Sequence, residues 1–202
     1  MKDKGLRIVR YADDMLIFAK DKQNAGNYEA YATKILEQEL KLKVNETKTR
    51  LTSVREGVTF LGFVIYAKYL AINPKRIKRF KDKIRNITRR NAGRPLEKVI
   101  KELNPVLRGY RIANIKSLIT EMMAWIRRRL RMIKMKQWKT HKAMHKEMRK
   151  QGIKGSGEKM AVTKWKNSNV HIIYMLLSNQ YFEDLGLIDF GQYKVGLLSN
   201  YY

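Results

Sequence analysis

The stretch that decides the fold is Arg7-Ile8-Val9-Arg10-Tyr11-Ala12-Asp13-Asp14-Met15-Leu16-Ile17-Phe18. Two short apolar runs, 6–9 and 15–19, flank its centre. Runs of this length that are rich in β-branched and aromatic residues are typical of strands. The sequence therefore predicts a hairpin that places Asp13 and Asp14 at a tight bend.

The adjacent carboxylates of this hairpin allow two interpretations. Asp tolerates turn backbone well, so a plain turn with solvated acids is one of them. The other is a magnesium site, because Mg²⁺ takes oxygen ligands and binds one or two protein carboxylates together with substrate phosphates. Two such ions can hold the attacking and leaving oxygens of a phosphoryl transfer.

The composition of the chain points to a polyanionic partner. The 202 residues include 44 Lys and Arg against 18 Asp and Glu, a net charge of +26. Nucleic acid is the first candidate, and an anionic membrane surface is the weaker alternative. There is no cysteine, no apolar run long enough to span a membrane and no signal-peptide pattern, so we expect an intracellular, cytoplasmic protein.

The positive charge is concentrated in the middle of the chain. Residues 1–74 carry 13 basic and 9 acidic side chains, whereas residues 75–166 carry 30 and 6. Residues 167–202 carry 1 and 3, so this tail is almost neutral. We therefore predict a boundary near Asn73-Pro74, with one domain over 1–73 and another over 74–202.

The first domain is predicted to be a small antiparallel sheet with one helix. A polar loop over 20–24 is followed by helical periodicity from Tyr28 to Leu40. Residues 50–54 alternate like a strand, and 55–57 have turn composition. We predict a buried strand over 58–65 with Gly62 inside it, and residues 69–72 can close the sheet.

The second domain is predicted to be all helical, which makes the fold class α+β. A basic helix begins at Pro74 and stops near Gly93, and a second helix begins at Pro95 and breaks at Asn104-Pro105. A third helix runs from about 116 to 139, and apolar residues at 172–177 predict a short helix in a neutral cap.

The helices of the second domain carry the candidate nucleic-acid contacts. Arginine suits phosphate because its planar fork binds two oxygens, although a merely solvated basic face remains the alternative. Trp138 allows either stacking on a base or coverage of a helix interface, and the latter is favoured. The candidate contacts are Lys78, Arg85, Arg89, Arg90, Arg108, Arg127, Arg128, Arg129, Arg131, Lys134, Lys136 and Trp138.

Several blocks, in this order, resemble group II intron reverse transcriptases. The Tyr-Ala-Asp-Asp hairpin is followed by Leu42-Lys43-Val44-Asn45 with Thr47-Lys48, and then by Phe60-Leu61-Gly62-Phe63. Later blocks resemble the thumb, or maturase-specific, domain: 103–110, in which Tyr110 replaces the usual Trp, then 125–131 and 137–139, and finally Trp165 with Asn167-Ser168. The resemblance extends along essentially the whole chain and implies a palm followed by a thumb.

The resemblance also implies roles for individual residues. Asp13 and Asp14 would be catalytic and hold Mg²⁺, while Tyr11 and Ala12 would shape the floor beneath the primer terminus. Asn45 and Lys48 would support the hairpin. A strand containing Leu61, Gly62 and Phe63 would lie close to the primer end. The implied partners are structured intron RNA, an RNA template–DNA primer duplex and deoxynucleoside triphosphates.

The expected enzyme lacks two parts in this sequence. The family uses a third aspartate on an earlier palm strand and fingers that hold the nucleotide, but few residues precede Asp13. We therefore expect a truncated or partial polymerase that is inactive alone. The alternative is a non-catalytic RNA-binding splicing cofactor. Exposed sheet edges also favour association into an oligomer.

Overall fold

The computed structural model describes residues 5–91, 93–109, 116–154 and 161–189. The chain divides into two compact units, Met1–Arg76 and Ile77–Tyr202. The architecture is mixed α+β, with small antiparallel sheets in the first unit and helices in the second. None of the helices in the described ranges is long and apolar enough to cross a membrane.

The predicted hairpin is confirmed. Strand β1 (Arg7–Tyr11) pairs with β2 (Asp14–Phe18) in an antiparallel register that sets Tyr11 opposite Asp14. The strands reach closer to the bend than the apolar runs indicated, so the connection has only two residues, Ala12 and Asp13. Two-residue connections are the commonest in hairpins because their twist matches that of the strands.

Helix α1 (Lys22–Lys34) begins earlier than the sequence predicted, so the expected loop over 20–24 is wrong from residue 22 onward. The reason is an N-cap, in which the Asp21 carboxylate accepts hydrogen bonds from the Asn24 backbone N–H at 2.8 Å and the Asn24 side chain at 2.6 Å. These bonds lower the pKa of Asp21. The helix continues as a π-helical segment, Ile35–Glu39.

The predicted single strand over 58–65 is two strands. β3 (Val58–Phe60) and β4 (Phe63–Ile65) form a hairpin, and β5 (Leu70–Ile72) adds to β4 as predicted. Leu61 and Gly62 make the bend with φ values of 50° and 82°, left-handed conformations that Gly adopts freely. The predicted strand over 50–54 is irregular and exposed instead.

The second unit is built from helices around one core. Its elements are α2 (Pro74–Ile87, whose first turn lies in the first unit), α3 (Leu96–Gly109), α4 (Lys116–Trp138), α5 (His141–Lys150), a 3₁₀ helix (Trp165–Asn169), α6 (His171–Leu176) and α7 (Asn179–Asp184). Every one of these helices except the 3₁₀ helix places apolar side chains in the buried cluster. The predicted cap helix at the C-terminal end is thereby confirmed as α6.

Two predicted helix boundaries are wrong. Helix α2 ends at Ile87 rather than near Gly93, and the hydroxyl of the buried Thr88 donates to the Ile84 carbonyl at 2.6 Å. Helix α3 runs through Pro105 without a break. The Asn104 side chain anchors that point, since it donates to the Gly186 carbonyl and accepts from the Ile188 N–H.

Candidate active-site hairpin and cationic surface

The bend of the first hairpin is strained and held by an arginine. Ala12 has φ = 50°, a left-handed conformation that costs a non-glycine residue about 1–2 kcal/mol. The Arg10 Nε–H donates to the Ala12 carbonyl at 3.0 Å. Sequence analysis missed this role of Arg10, because a turn brace carries no pattern beyond a nearby basic residue. The brace fixes the backbone from which the acid pair projects.

The two aspartates are presented to solvent. Asp13 lies in the bend and Asp14 is the first residue of β2, and both are exposed. Their carboxylates are the ligands that Mg²⁺ prefers, so the pair fits the protein share of a magnesium site. Within the ranges that the structure describes, no third acidic, His or Cys side chain joins them in a metal-binding group.

Asn45 and Lys48 meet in one turn. The Asn45 side-chain oxygen accepts a hydrogen bond from the Thr47 hydroxyl at 2.7 Å and from the Lys48 N–H at 3.2 Å. The backbone carbonyl of Asn45 accepts from the Thr49 N–H at 2.9 Å. These bonds lie within the segment 45–49 itself. The role implied for Asn45 and Lys48 as supports of the hairpin stays a prediction.

The bend at Leu61-Gly62 packs against the start of α2. A Cβ on Gly62 would lie 3.0 Å from Nη1 of Arg76, and the Arg76 guanidinium lies over the Phe63 ring at 5.5 Å. The Asn73 N–H also donates to the Gly62 carbonyl at 3.0 Å. The glycine is therefore favoured chiefly by its backbone conformation, and the Arg76 side chain would have to shift by a few tenths of an ångström to admit a Cβ. The proximity of this segment to a primer stays a prediction.

Two of the predicted phosphate-binding arginines are buried. Arg131 is 2% exposed, and its Nε–H donates to the Leu177 carbonyl at 3.0 Å while its guanidinium lies over the Tyr174 ring at 4.0 Å. Arg127 is 9% exposed and pairs with Asp189 at 2.8 Å and Glu183 at 3.5 Å. The prediction that Arg127 and Arg131 face a nucleic acid is wrong, because residues between 174 and 189 cover both side chains.

Arg129 is also engaged inside the protein. Its guanidinium donates to the Thr88 hydroxyl and carbonyl and lies over the Trp125 ring at 5.4 Å. Partial burial lowers the pKa of Arg129, and burial likewise lowers that of Arg131. The ordinary pKa of arginine is nevertheless so high that both side chains stay charged at neutral pH. Arg129 thus ties α4 to the end of α2.

Other predicted contacts divide by exposure. Lys78, Arg89, Arg108 and Lys136 are exposed. Arg85 is also exposed, but it pairs with Asp82 at 2.7 Å. Three predicted contacts are half-buried: Arg90, Lys134 and Trp138. Arg90 donates hydrogen bonds to the carbonyls of Met132 and Thr163. Trp138 packs against the core, which confirms the favoured interpretation.

The comparisons with known proteins match each of the two units to a different family model. Residues 1–65, in the first unit, match the model described as Reverse transcriptase (RNA-dependent DNA polymerase). The unit that carries the acid-bearing hairpin is therefore similar to reverse transcriptases. Residues 77–152, in the second unit, match the model described as Group II intron, maturase-specific domain. The chain belongs to the group II intron reverse transcriptase/maturase family. No curated protein matches it.

Proposed function

We propose that residues 1–73 form the palm region and residues 74–202 the thumb of a group II intron-type RNA-directed DNA polymerase and maturase. The observation that carries the catalytic part is the braced hairpin that exposes Asp13 and Asp14. Its strained bend supports this assignment, because backbone strain is concentrated at functional sites. The family membership supports RNA and DNA as the partners.

In the intact enzyme Asp13 and Asp14 would hold Mg²⁺. When bound, the ion favours ionisation of the primer 3′-hydroxyl and neutralises charge on the triphosphate. Tyr11, beside Asp14 in the hairpin register, and Ala12 would form the floor under the primer terminus. Leu61, Gly62 and Phe63 would position the primer strand, with Asn45 and Lys48 supporting the site.

Manganese is a suitable probe of the carboxylate pair, because it replaces magnesium at oxygen ligands and broadens nearby NMR signals. We expect Mn²⁺ to broaden the backbone amides of residues 11–15 at concentrations that leave the remainder of the spectrum sharp. The double variant Asp13→Asn/Asp14→Asn should lose this effect, whereas Glu56→Gln, an exposed acid elsewhere in the same unit, should keep it. Uniform broadening in all three proteins would contradict the metal assignment.

The isolated chain is expected not to extend a primer. The described residues supply two carboxylates at the hairpin, and the family's chemistry uses three. A primer-extension assay with Mg²⁺, template, primer and all four nucleotides checks this. Robust extension that is abolished by Asp14→Asn would show instead that the chain is a complete polymerase.

A second function, an RNA-binding splicing cofactor without catalysis, is favoured by the absence of a third ligand among the described residues. In both proposals exposed cations of the second unit would bind structured intron RNA through its phosphates. The manganese experiment separates them. RNA binding with no response at residues 11–15 would favour the cofactor, and RNA binding with a local response would favour the polymerase.

A further inference from the structure

The exposed ring of Trp165 and the guanidinium of the half-buried Arg128 form a pair in the second unit. The guanidinium carbon lies 5.2 Å from the centroid of the ring, on the face where α4 meets the 3₁₀ helix. Trp165 is 57% exposed, far more than a packing tryptophan. We propose that this pair is a stacking site for an unpaired nucleotide of RNA. The proposal rests on the RNA binding proposed above and specifies one contact within it.

Arg128 differs from its three arginine neighbours on α4. Those neighbours donate hydrogen bonds to carbonyl, hydroxyl or carboxylate oxygens of the protein: Arg127, Arg129 and Arg131. Within the described ranges, the Arg128 guanidinium lies over the Trp165 ring and makes no hydrogen bond or ion pair. Its N–H donors therefore remain available for a phosphate oxygen, to which the planar fork of arginine is well matched.

Trp165 differs in the same way from the other two tryptophans. Trp125 and Trp138 are half-buried and pack against the hydrophobic core. Trp165 contributes nothing to that core, and Ser168 is the buried residue of its helix. An indole that is exposed over more than half of its surface offers a face for a base, and base stacking on aromatic rings stabilises single-stranded nucleic acid in a sequence-tolerant way.

The surroundings of the pair favour nucleic acid over an apolar protein partner. Lys164 and Lys166 flank Trp165 and are exposed, and no acidic residue occurs between 161 and 170. Tyr174 provides the contrast, since it is 43% exposed over an arginine whose donor already bonds to Leu177. Acidic residues lie nearby in the sequence at 183, 184 and 189. The site at Trp165 therefore combines an exposed ring, a half-buried guanidinium without a hydrogen-bond acceptor in the described ranges, and positive charge.

The test compares a short single-stranded RNA with an RNA duplex of equal charge, using the full chain. Trp165→Leu removes the ring, Trp165→Phe restores an aromatic face, and Tyr174→Leu is the matched control. We expect Trp165→Leu to weaken single-strand binding about tenfold, within the range known for base stacking, and to leave duplex binding within about twofold. Trp165→Phe should recover most of the loss, and Tyr174→Leu should change little.

Tryptophan fluorescence gives an independent readout, because a stacked base quenches the indole. We expect the single strand to quench the wild-type protein more strongly than Trp165→Phe, whereas the duplex should quench both equally.

Three results of the binding assay would each overturn the stacking site while RNA binding stands. They are equal losses of affinity for duplex and single strand, no loss of affinity in Trp165→Leu, and no recovery of affinity in Trp165→Phe. A wild-type chain that binds neither RNA at moderate salt would overturn the proposed RNA binding itself. Failure of the site and failure of the function are thus distinguishable.

Discussion

The two units of the chain differ sharply in how much of their apolar surface is buried. In the described part of the first unit the buried apolar residues are Leu6, Ala32 and Ile72, whereas the second unit packs apolar side chains from most of its helices into one cluster. Since burial of apolar surface is the main stabilising contribution to folding, the second unit holds most of the stability. The first unit presents the hairpin on a lightly packed scaffold.

Exposed apolar side chains in the first unit reinforce this contrast. They include Val9, Phe18, Leu40, Leu42, Leu51, Val54, Leu61, Tyr69 and Leu70. Apolar side chains that stay exposed contribute little to folding, which agrees with the small number of buried apolar residues in this unit. The helical unit therefore contains both the excess of positive charge and the hydrophobic core. The first unit contains the acid pair and the exposed apolar side chains named above.

The largest effect should come from the core of the second unit. Leu130 is fully buried, so Leu130→Ala should lower the free energy of unfolding by about 2–5 kcal/mol. Leu51→Ala, at an exposed position of the first unit, should change it by less than about 0.5 kcal/mol. Chemical denaturation followed by circular dichroism measures both, and similar losses at the two sites would contradict the contrast between the units.

The next effect separates structural from surface arginines. Arg131→Ala should destabilise the chain by about 2–4 kcal/mol, because it leaves the Leu177 carbonyl without its donor and opens a cavity beneath Tyr174. Arg128→Ala removes the same charge but should cost under about 1 kcal/mol. Thermal unfolding of both variants tests the distinction. An Arg131 variant as stable as the Arg128 variant would mean that Arg131 is not a structural residue.

Two glycines of the first unit should respond in opposite directions. At Gly57 a Cβ would lie 2.7 Å from the Tyr66 ring with φ = 93°, so Gly57→Ala should destabilise that unit by about 1–3 kcal/mol. Gly26 lies in α1 with open space around it, so Gly26→Ala should stabilise by about 0.5–1 kcal/mol. Amide exchange in β3–β5 and in α1, respectively, reports these changes. Matching signs would show that the local geometry does not govern either site.

The smallest effect concerns the cap of α1 and pH. Hydrogen bonds to the Asp21 carboxylate hold its pKa below the ordinary value of 3.8, so the folded state favours the charged form. The contribution is complete above that value and is lost as the pH falls through the lower folded pKa. The protection factors of the α1 amides, which correct for the intrinsic slowing of exchange in acid, should therefore fall at acidic pH. Asp21→Asn keeps a capping side chain and should remove this pH dependence; an unchanged dependence would assign it to another group.

The sequence predicted elements well where the pattern was long or local. The hairpin, helix α4 and the start of α2 at Pro74 are confirmed, because periodicity, β-branching and proline act within a few residues. The predicted helix boundaries were wrong where a side-chain hydrogen bond outweighs the local helix propensity. Asp21 caps α1 and starts it early, and Asn104 anchors α3 across Pro105.

The candidate site was predictable only in part for the same reason. The acid pair is visible as a motif, whereas the burial of Arg127 and Arg131 depends on partners that lie 62 and 46 residues further along the chain. A run of arginines indicates phosphate binding on a single helix, and only tertiary packing decides which of them remain exposed. Residues 110–115, with Tyr110, lie outside the described ranges.

The most direct test of this account is the affinity of the full chain for structured RNA across a salt series. Lys78→Ala/Arg89→Ala/Lys136→Ala removes three exposed cations of the helical unit, and Lys20→Ala/Lys34→Ala/Lys68→Ala removes the same charge from exposed positions of the first unit. Each lost phosphate contact reduces the slope of log affinity against log salt by about 0.7–0.9. We predict a slope smaller by about two units in the first variant and little change in the second. Equal changes in both would contradict the claim that the helical unit is the RNA-binding surface.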